Sequence, residues 1–174
     1  MNKLSDQDLA LIYYKIQRQA LSIDEETMAF YISQSRFDPR LAEVVNENIR
    51  NCWWNYDPVA LNDYLRKLPN NNAILVMIEQ ITTLSKSTPD TLSDFKKWAQ
   101  AVCFVINQPL VKKLFYIDFF KEGSRTAQRE IDECLPSFEK FNFYAKDVFF
   151  NKQNPKRIMS KHDYETRYES NEPF

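Results

Sequence analysis

The chain holds one glycine, Gly123, and one histidine, His162, in 174 residues. Phosphate-cradling loops and dinucleotide-binding turns need several glycines, because the backbone must approach the ligand closely or take positive φ. Histidine is the usual general base at neutral pH and the commonest metal ligand. Such scarcity argues against most nucleotide-binding enzymes, metalloenzymes and histidine-dependent hydrolases, so no cofactor, nucleotide or metal is expected. The three cysteines, Cys52, Cys103 and Cys134, are odd in number and far apart. They form no C-x-x-C pair and no zinc spacing. Each falls in an apolar helical pattern and reads as a reduced core thiol. Long hydrophobic runs are missing too. No run is longer than Ala73 to Ile78, which is far too short to span a bilayer. Met1 to Asp6 has none of the features of a secretory leader, so a cytoplasmic setting without membrane contact is expected.

What the chain does have is apolar and aromatic residues: 44% hydrophobic, with thirteen Phe, nine Tyr and three Trp. That suffices for one compact core. Helical spacing recurs almost throughout, and the expected fold is all-α: a single domain of eight or nine helices over residues 1–151, with a polar tail over 152–174 that is docked or mobile. Ser5 precedes Leu9, Ile12, Tyr13 and Ile16 as an N-cap. Ser22 or Asp24 caps a helix carrying Met28, Tyr31 and Ile32. Phe37-Asp38-Pro39 and Tyr56-Asp57-Pro58 both place a capping Asp before a Pro suited to the first helical position. Their 19-residue separation is too short for a helix-pair repeat. Ala73 to Leu84 is apolar on most sides and is the expected central helix, with Leu75, Ile78 and Ile81 deeply buried. Thr88-Pro89 opens a helix carrying Phe95, Trp98 and Val102. The spacing then predicts a helix from Gln108-Pro109 through Leu114, Phe115 and Phe119, ended by Gly123 in the left-handed region. A short helix around Ala127 to Leu135 follows, and a last one from Pro136 to Phe149.

Candidate chemistry is sparse. Asp24-Glu25-Glu26 sits at a helix start, where the macrodipole favours negative charge. Glu130, Asp132 and Glu133 share a short helix, but no Glu-x-x-His motif accompanies them. The cysteines lack a histidine neighbour in sequence, and Cys134 has acidic neighbours that raise a thiol pKa. No catalytic residue is therefore assigned, and the chain reads as not an enzyme. Trp53 and Trp54 point about 100° apart on a helix. Trp53 continues the apolar stripe, while Trp54 either stands as a contact anchor or packs under the Tyr56 loop.

Charge is uneven. Net charge is −1 overall, yet six bases between residues 140 and 161 (Lys140, Lys146, Lys152, Lys156, Arg157 and Lys161) face only Asp147. Aromatics interleave with them, a pattern suited to phosphate contact with base stacking.

Residues 4–41, from Leu4-Ser5-Asp6-Gln7-Asp8 through Tyr31-Ile32 to Phe37-Asp38-Pro39-Arg40-Leu41, resemble in rhythm the helical lid of replication-initiator-type AAA ATPases. The resemblance implies that Arg40 matches the nucleotide-sensing arginine of that lid. It covers under a quarter of the chain, and no glycine-rich phosphate-binding motif accompanies it, so ATPase activity is not carried over.

Two functions remain. The first is a non-catalytic protein–protein interaction module, an adaptor, an inhibitor or immunity-type protein, or a regulatory subunit. It would bind another protein or a second copy of itself through Trp54, Tyr164, Tyr168 and Phe174. The second is a helical nucleic-acid-binding regulator using residues 140–161, with Lys146, Lys152, Lys156, Arg157 and Lys161 on phosphates.

Overall fold

A computed structural model describes residues 4–146 and 157–169. Among these residues run nine helices: α1 (Asp6–Arg18), α2 (Glu25–Gln34), α3 (Pro39–Cys52), α4 (Pro58–Leu65), α5 (Ala73–Leu84), α6 (Pro89–Val102), α7 (Arg125–Asp132), α8 (Pro136–Glu139) and α9 (Lys161–Glu169). The fold is all-α, and no described helix is long and apolar enough to cross a membrane.

Helix starts follow from local chemistry. The Ser5 hydroxyl accepts the Asp8 N–H, and the Asp8 carboxylate takes the Ser5 N–H, closing a capping box. Asp24 accepts from the Thr27 N–H at 2.8 Å, and Asp57 accepts from Ala60 at 2.8 Å. Asp38 accepts from both Arg40 (2.8 Å) and Leu41 (3.1 Å). Pro39, Pro58 and Pro89 occupy first helical positions, where a missing N–H costs nothing.

Most of the core lies among α1 to α6, and Phe115, Tyr116, Phe138, Phe143 and Ile158 from later in the chain extend it. Helix α2 packs on α4, α4 on α6, and α1 on α3. Met28, Ile32, Leu41, Ile49, Leu61, Leu65, Ile74 and Phe95 are fully buried there. Trp53, Phe95 and Trp98 meet edge to face or stacked at 5.6–6.0 Å. Helix α5 lies in this core with one correction. Ile81 is fully buried as expected, but Leu75 and Ile78 are only half-buried. The inward face runs through Ala73, Ile74, Val76, Met77, Gln80 and Ile81. Gln80 turns inward because its amide donates to the Ser137 hydroxyl at 3.0 Å. That rotates Leu75 and Ile78 to the edge of the buried stripe.

The larger correction lies after α6. No helix runs from Pro109 to Gly123. Val102 is followed by an irregular segment up to Ser124, the N-cap of α7. Side chains from elsewhere take the carbonyls that a helix would use. The Asn62 amide donates to the carbonyls of Val102 (2.8 Å) and Phe104 (2.6 Å). The Asn142 amide donates to Pro109 at 2.8 Å. Arg36 donates to Leu114 and Phe115. Within the segment, β1 (Lys113–Leu114) pairs in parallel with β2 (Phe143–Tyr144), a two-residue ladder in a chain that shows no strand alternation. Phe115 meets Phe138 and Phe143 edge to face at 5.0 and 5.2 Å. Its spacing from Phe119 mimics a helical stripe, but the contacts belong to an aromatic cluster. Gly123 does take positive φ (+74°), leading into α7 rather than closing a helix.

The helix expected from Pro136 to Phe149 stops at Glu139. Asn142 follows in the left-handed region (φ +60°), and the chain turns into β2.

Candidate functional site

The described part of the tail is docked. Ile158 and Met159 are buried, with Ile158 donating its N–H to Ser87 Oγ at 2.7 Å. Met159 N–H donates to the Arg50 carbonyl, and Trp53 Nε1 donates back to the Met159 carbonyl at 2.8 Å. Arg50, itself buried in α3, donates to the Arg157 carbonyl at 3.0 Å. Helix α9 then lays Tyr164 against Trp54, ring centroids 5.5 Å apart, and Tyr168 against Tyr164 at 4.6 Å.

Of the two placements open to Trp54, the structure shows packing within the molecule, against Tyr164. Trp54 is half-buried, its Nε1 donates to the Asn51 carbonyl, and Tyr164 covers its ring. Aromatic rings that meet edge to face shed water against each other. Two of the expected contact residues are therefore used inside the molecule, and Tyr168 alone of the described three is exposed. Phe174 lies outside the described residues.

The basic candidates scatter in the same way. Lys152 and Lys156 lie outside the described residues. Lys146 points its ammonium toward Glu133 at 3.9 Å, and its backbone N–H bonds the buried Glu130 carboxylate at 2.9 Å. Lys161 sits 3.8 Å from Glu165 on its own helix. Lys140 bonds Glu79 at 2.9 Å. Arg157 is exposed, with its carbonyl held by Arg50. Each paired cation carries its own counter-charge, which weakens a continuous phosphate-binding strip.

The thiols are not poised for chemistry. Burial pushes Cys52 up to about 11 and Cys103 up to about 12. Burial raises Cys134 as well, and its Sγ faces the Phe143 carbonyl at 3.3 Å. His162 is exposed on α9. Among the described residues no group of three or more His, Cys, Asp or Glu is placed to hold a metal ion.

The surface that sequence reasoning missed is the irregular segment. Phe104, Val105, Leu110 and Val111 are 68%, 56%, 100% and 69% exposed, four large apolar side chains within eight residues. The segment is pinned rather than loose. Asn62 clamps its start, Ile106 is buried and bonds back to Cys103, and Asn142 holds Pro109. Val105 has φ +53°, a left-handed conformation that costs a β-branched residue about 1–2 kcal/mol.

The chain then runs through Lys112 and Lys113 into the wall of an open basin of about 980 Å³. Arg36, only 4% exposed, lines it. Its guanidinium donates to Asn70 Oδ1 (2.8 Å), Leu114 O (3.0 Å) and Phe115 O (3.2 Å), and lies 4.6 Å from the Phe143 ring centre. Among the described residues no carboxylate pairs with it. Burial lowers its pKa to about 10. The exposed ring of Phe119 and the partly exposed Ile131 also line the basin. A faint signal in the sequence pointed here: Gln108 is a poor N-cap for Pro109, and two lysines directly follow Leu110-Val111.

No family model matches the chain, and no curated protein or solved structure is significantly similar to it. The likeness of residues 4–41 to an ATPase lid gains no support from these comparisons, and Arg40 is exposed at the start of α3.

Proposed function

We propose that the protein is a non-catalytic interaction module that docks another protein through the apolar loop 104–111. The observation carrying this reading is the pinned exposure of Phe104, Val105, Leu110 and Val111. Scattered apolar residues on a surface need no explanation, but four large exposed ones within eight residues of a pinned loop support an interaction site. A loop already held in place loses little freedom on binding, which raises affinity for a given contact area. The adaptor, inhibitor and regulatory-subunit roles all share this property. The raised thiol pKa values and the lack of a histidine partner for any thiol among the described residues support the non-catalytic part of the reading. Three free cysteines suit a reducing compartment such as the cytoplasm.

The test is a comparison of wild type with a Leu110→Ser/Val111→Ser double variant. Both side chains are exposed, so the variant keeps its melting temperature. Proteins captured from the source cell by wild type, and any dimer seen by sedimentation, should be lost with the variant. Capture or dimerisation that survives it would refute the loop as the docking surface. Loss instead on changing Lys146, Arg157 and Lys161, with nuclease-sensitive capture, would favour the nucleic-acid reading.

A further inference from the structure

We infer that the basin beside the apolar loop receives a carboxylate side chain of the partner, so that the recognised segment is an acidic peptide with apolar residues next to its acid. The inference rests on the loop being the docking surface and adds the chemistry of what docks there.

The argument starts from Arg36. Three of its N–H groups are committed, to Asn70, Leu114 and Phe115, all neutral acceptors. A guanidinium carries five N–H donors in a fixed planar fork, which leaves two. The charge is nearly buried, at the edge of a cavity wide enough for a peptide side chain. Burying a charge without an opposite one is expensive, and carbonyl dipoles and ring faces offset only part of the cost.

The charged groups on the basin wall are Arg36, Lys112, Lys113 and Lys121 against Asp118 and Glu122. Lys112 is already paired with Glu139 at 2.8 Å. Among the described residues, Lys113 and Lys121 have no carboxylate within ion-pairing distance. The excess is therefore positive, on the wall that continues directly from Leu110 and Val111. The aromatic and aliphatic surface of Phe119 and Ile131 accepts an apolar neighbour of the acid. A carboxylate meeting a planar guanidinium and flanking ammonium groups in a partly desolvated cavity forms charge-assisted hydrogen bonds, which are stronger and more directional than neutral ones.

A random dodecapeptide phage library selects for this chemistry while the natural partner stays unidentified. Three baits are panned: wild type, Lys113→Ala/Lys121→Ala, and Leu110→Ser/Val111→Ser. Both lysines are surface residues, so the first variant folds as wild type does, checked by its melting temperature. Wild type should enrich peptides with Asp or Glu beside Leu, Ile or Phe. By fluorescence anisotropy, the best such peptide should bind the lysine variant about tenfold or more weakly, the loss of one well-placed charge pair. It should also weaken at high salt. Peptides enriched without acids, or acidic peptides indifferent to the lysine variant, would overturn the inference. It also falls if wild type enriches nothing. If charge-independent peptides fail on the Leu110/Val111 variant, the inference falls while the docking surface stands. If no enriched peptide is sensitive to the Leu110/Val111 variant, the docking surface itself falls.

Discussion

Asn62→Ala should destabilise the protein by about 2–4 kcal/mol and release the loop. Asn62 is buried in α4, and its amide donates to two carbonyls at once, Val102 at 2.8 Å and Phe104 at 2.6 Å. The bond to Val102 is buried. Removing the donor leaves that carbonyl without water or partner, at about 1–3 kcal/mol. The bond to Phe104 is part-buried, so solvent replaces it at roughly 0.5–1.5 kcal/mol. In a chain of this length each kcal/mol shifts the melting temperature by about 2–4 °C, and the expected fall is about 4–16 °C by calorimetry. The second readout is local. Limited proteolysis should cut the variant after Phe104 well below its melting temperature, while wild type resists there. A melting temperature within about a degree of wild type, with an uncut loop, would refute the claim that Asn62 holds the segment out of helix.

Two further outcomes follow from the same contacts. Asp38→Ala should lower stability by about 1–2 kcal/mol, toward the upper end for a cap, because Asp38 accepts from Arg40 and Leu41 and also from the Tyr13 hydroxyl at 3.2 Å; a denaturant midpoint equal to wild type would show that the cap carries nothing. In alkali, burial holds the thiols of Cys52 (about 11) and Cys103 (about 12) and the phenols of Tyr13 and Tyr164 (both about 12) neutral in the folded chain after the unfolded chain ionises near 9 to 10. Their contribution is complete below pH 9 and lost as pH rises toward 12, so urea stability should fall through that window; Arg36, lowered to about 10, works in the opposite direction above that pH, and a stability that rises steadily from pH 9 to 12 would contradict the burial of the thiols.

The capped helix starts in the first hundred residues were readable because their signals are local. A Ser, Asp or Thr followed by Pro or by an acid three residues on caps whatever helix follows, and the starts of α1, α3, α4 and α6 lie where the sequence puts them. The rotation of α5 was not readable. Its apolar run has no polar residue to mark the outside, and the first polar residues after Ile78 include Gln80, which points in. After Val102 the decisive groups are remote. Asn62 acts across 40 and 42 positions, Arg36 across 78 and 79, Asn142 across 33. A helical periodicity confined to the segment contains none of them. The packing around Trp54 was hidden for the same reason. Trp54 stood open between two placements because the ring that meets it, Tyr164, lies over a hundred positions further on.

The donors that prevent a helix after Val102 also explain why the loop does not collapse. Four exposed apolar side chains would ordinarily fold back, since each removes area from water at about 25 cal/mol per Å². Here the carbonyls on either side are tied to Asn62 and Asn142, and Lys113–Leu114 is tied to β2. The tether fixes the backbone, and the backbone fixes the side chains outward. Val105 sharpens the point. Glycine or asparagine suits a φ of +53°, whereas valine costs about 1–2 kcal/mol there. More than half of its side chain remains in solvent, so burial within this chain does not return that cost. On the proposed reading, contact with a docked partner does, because a strained and preorganised apolar tip recovers on binding what folding left unspent.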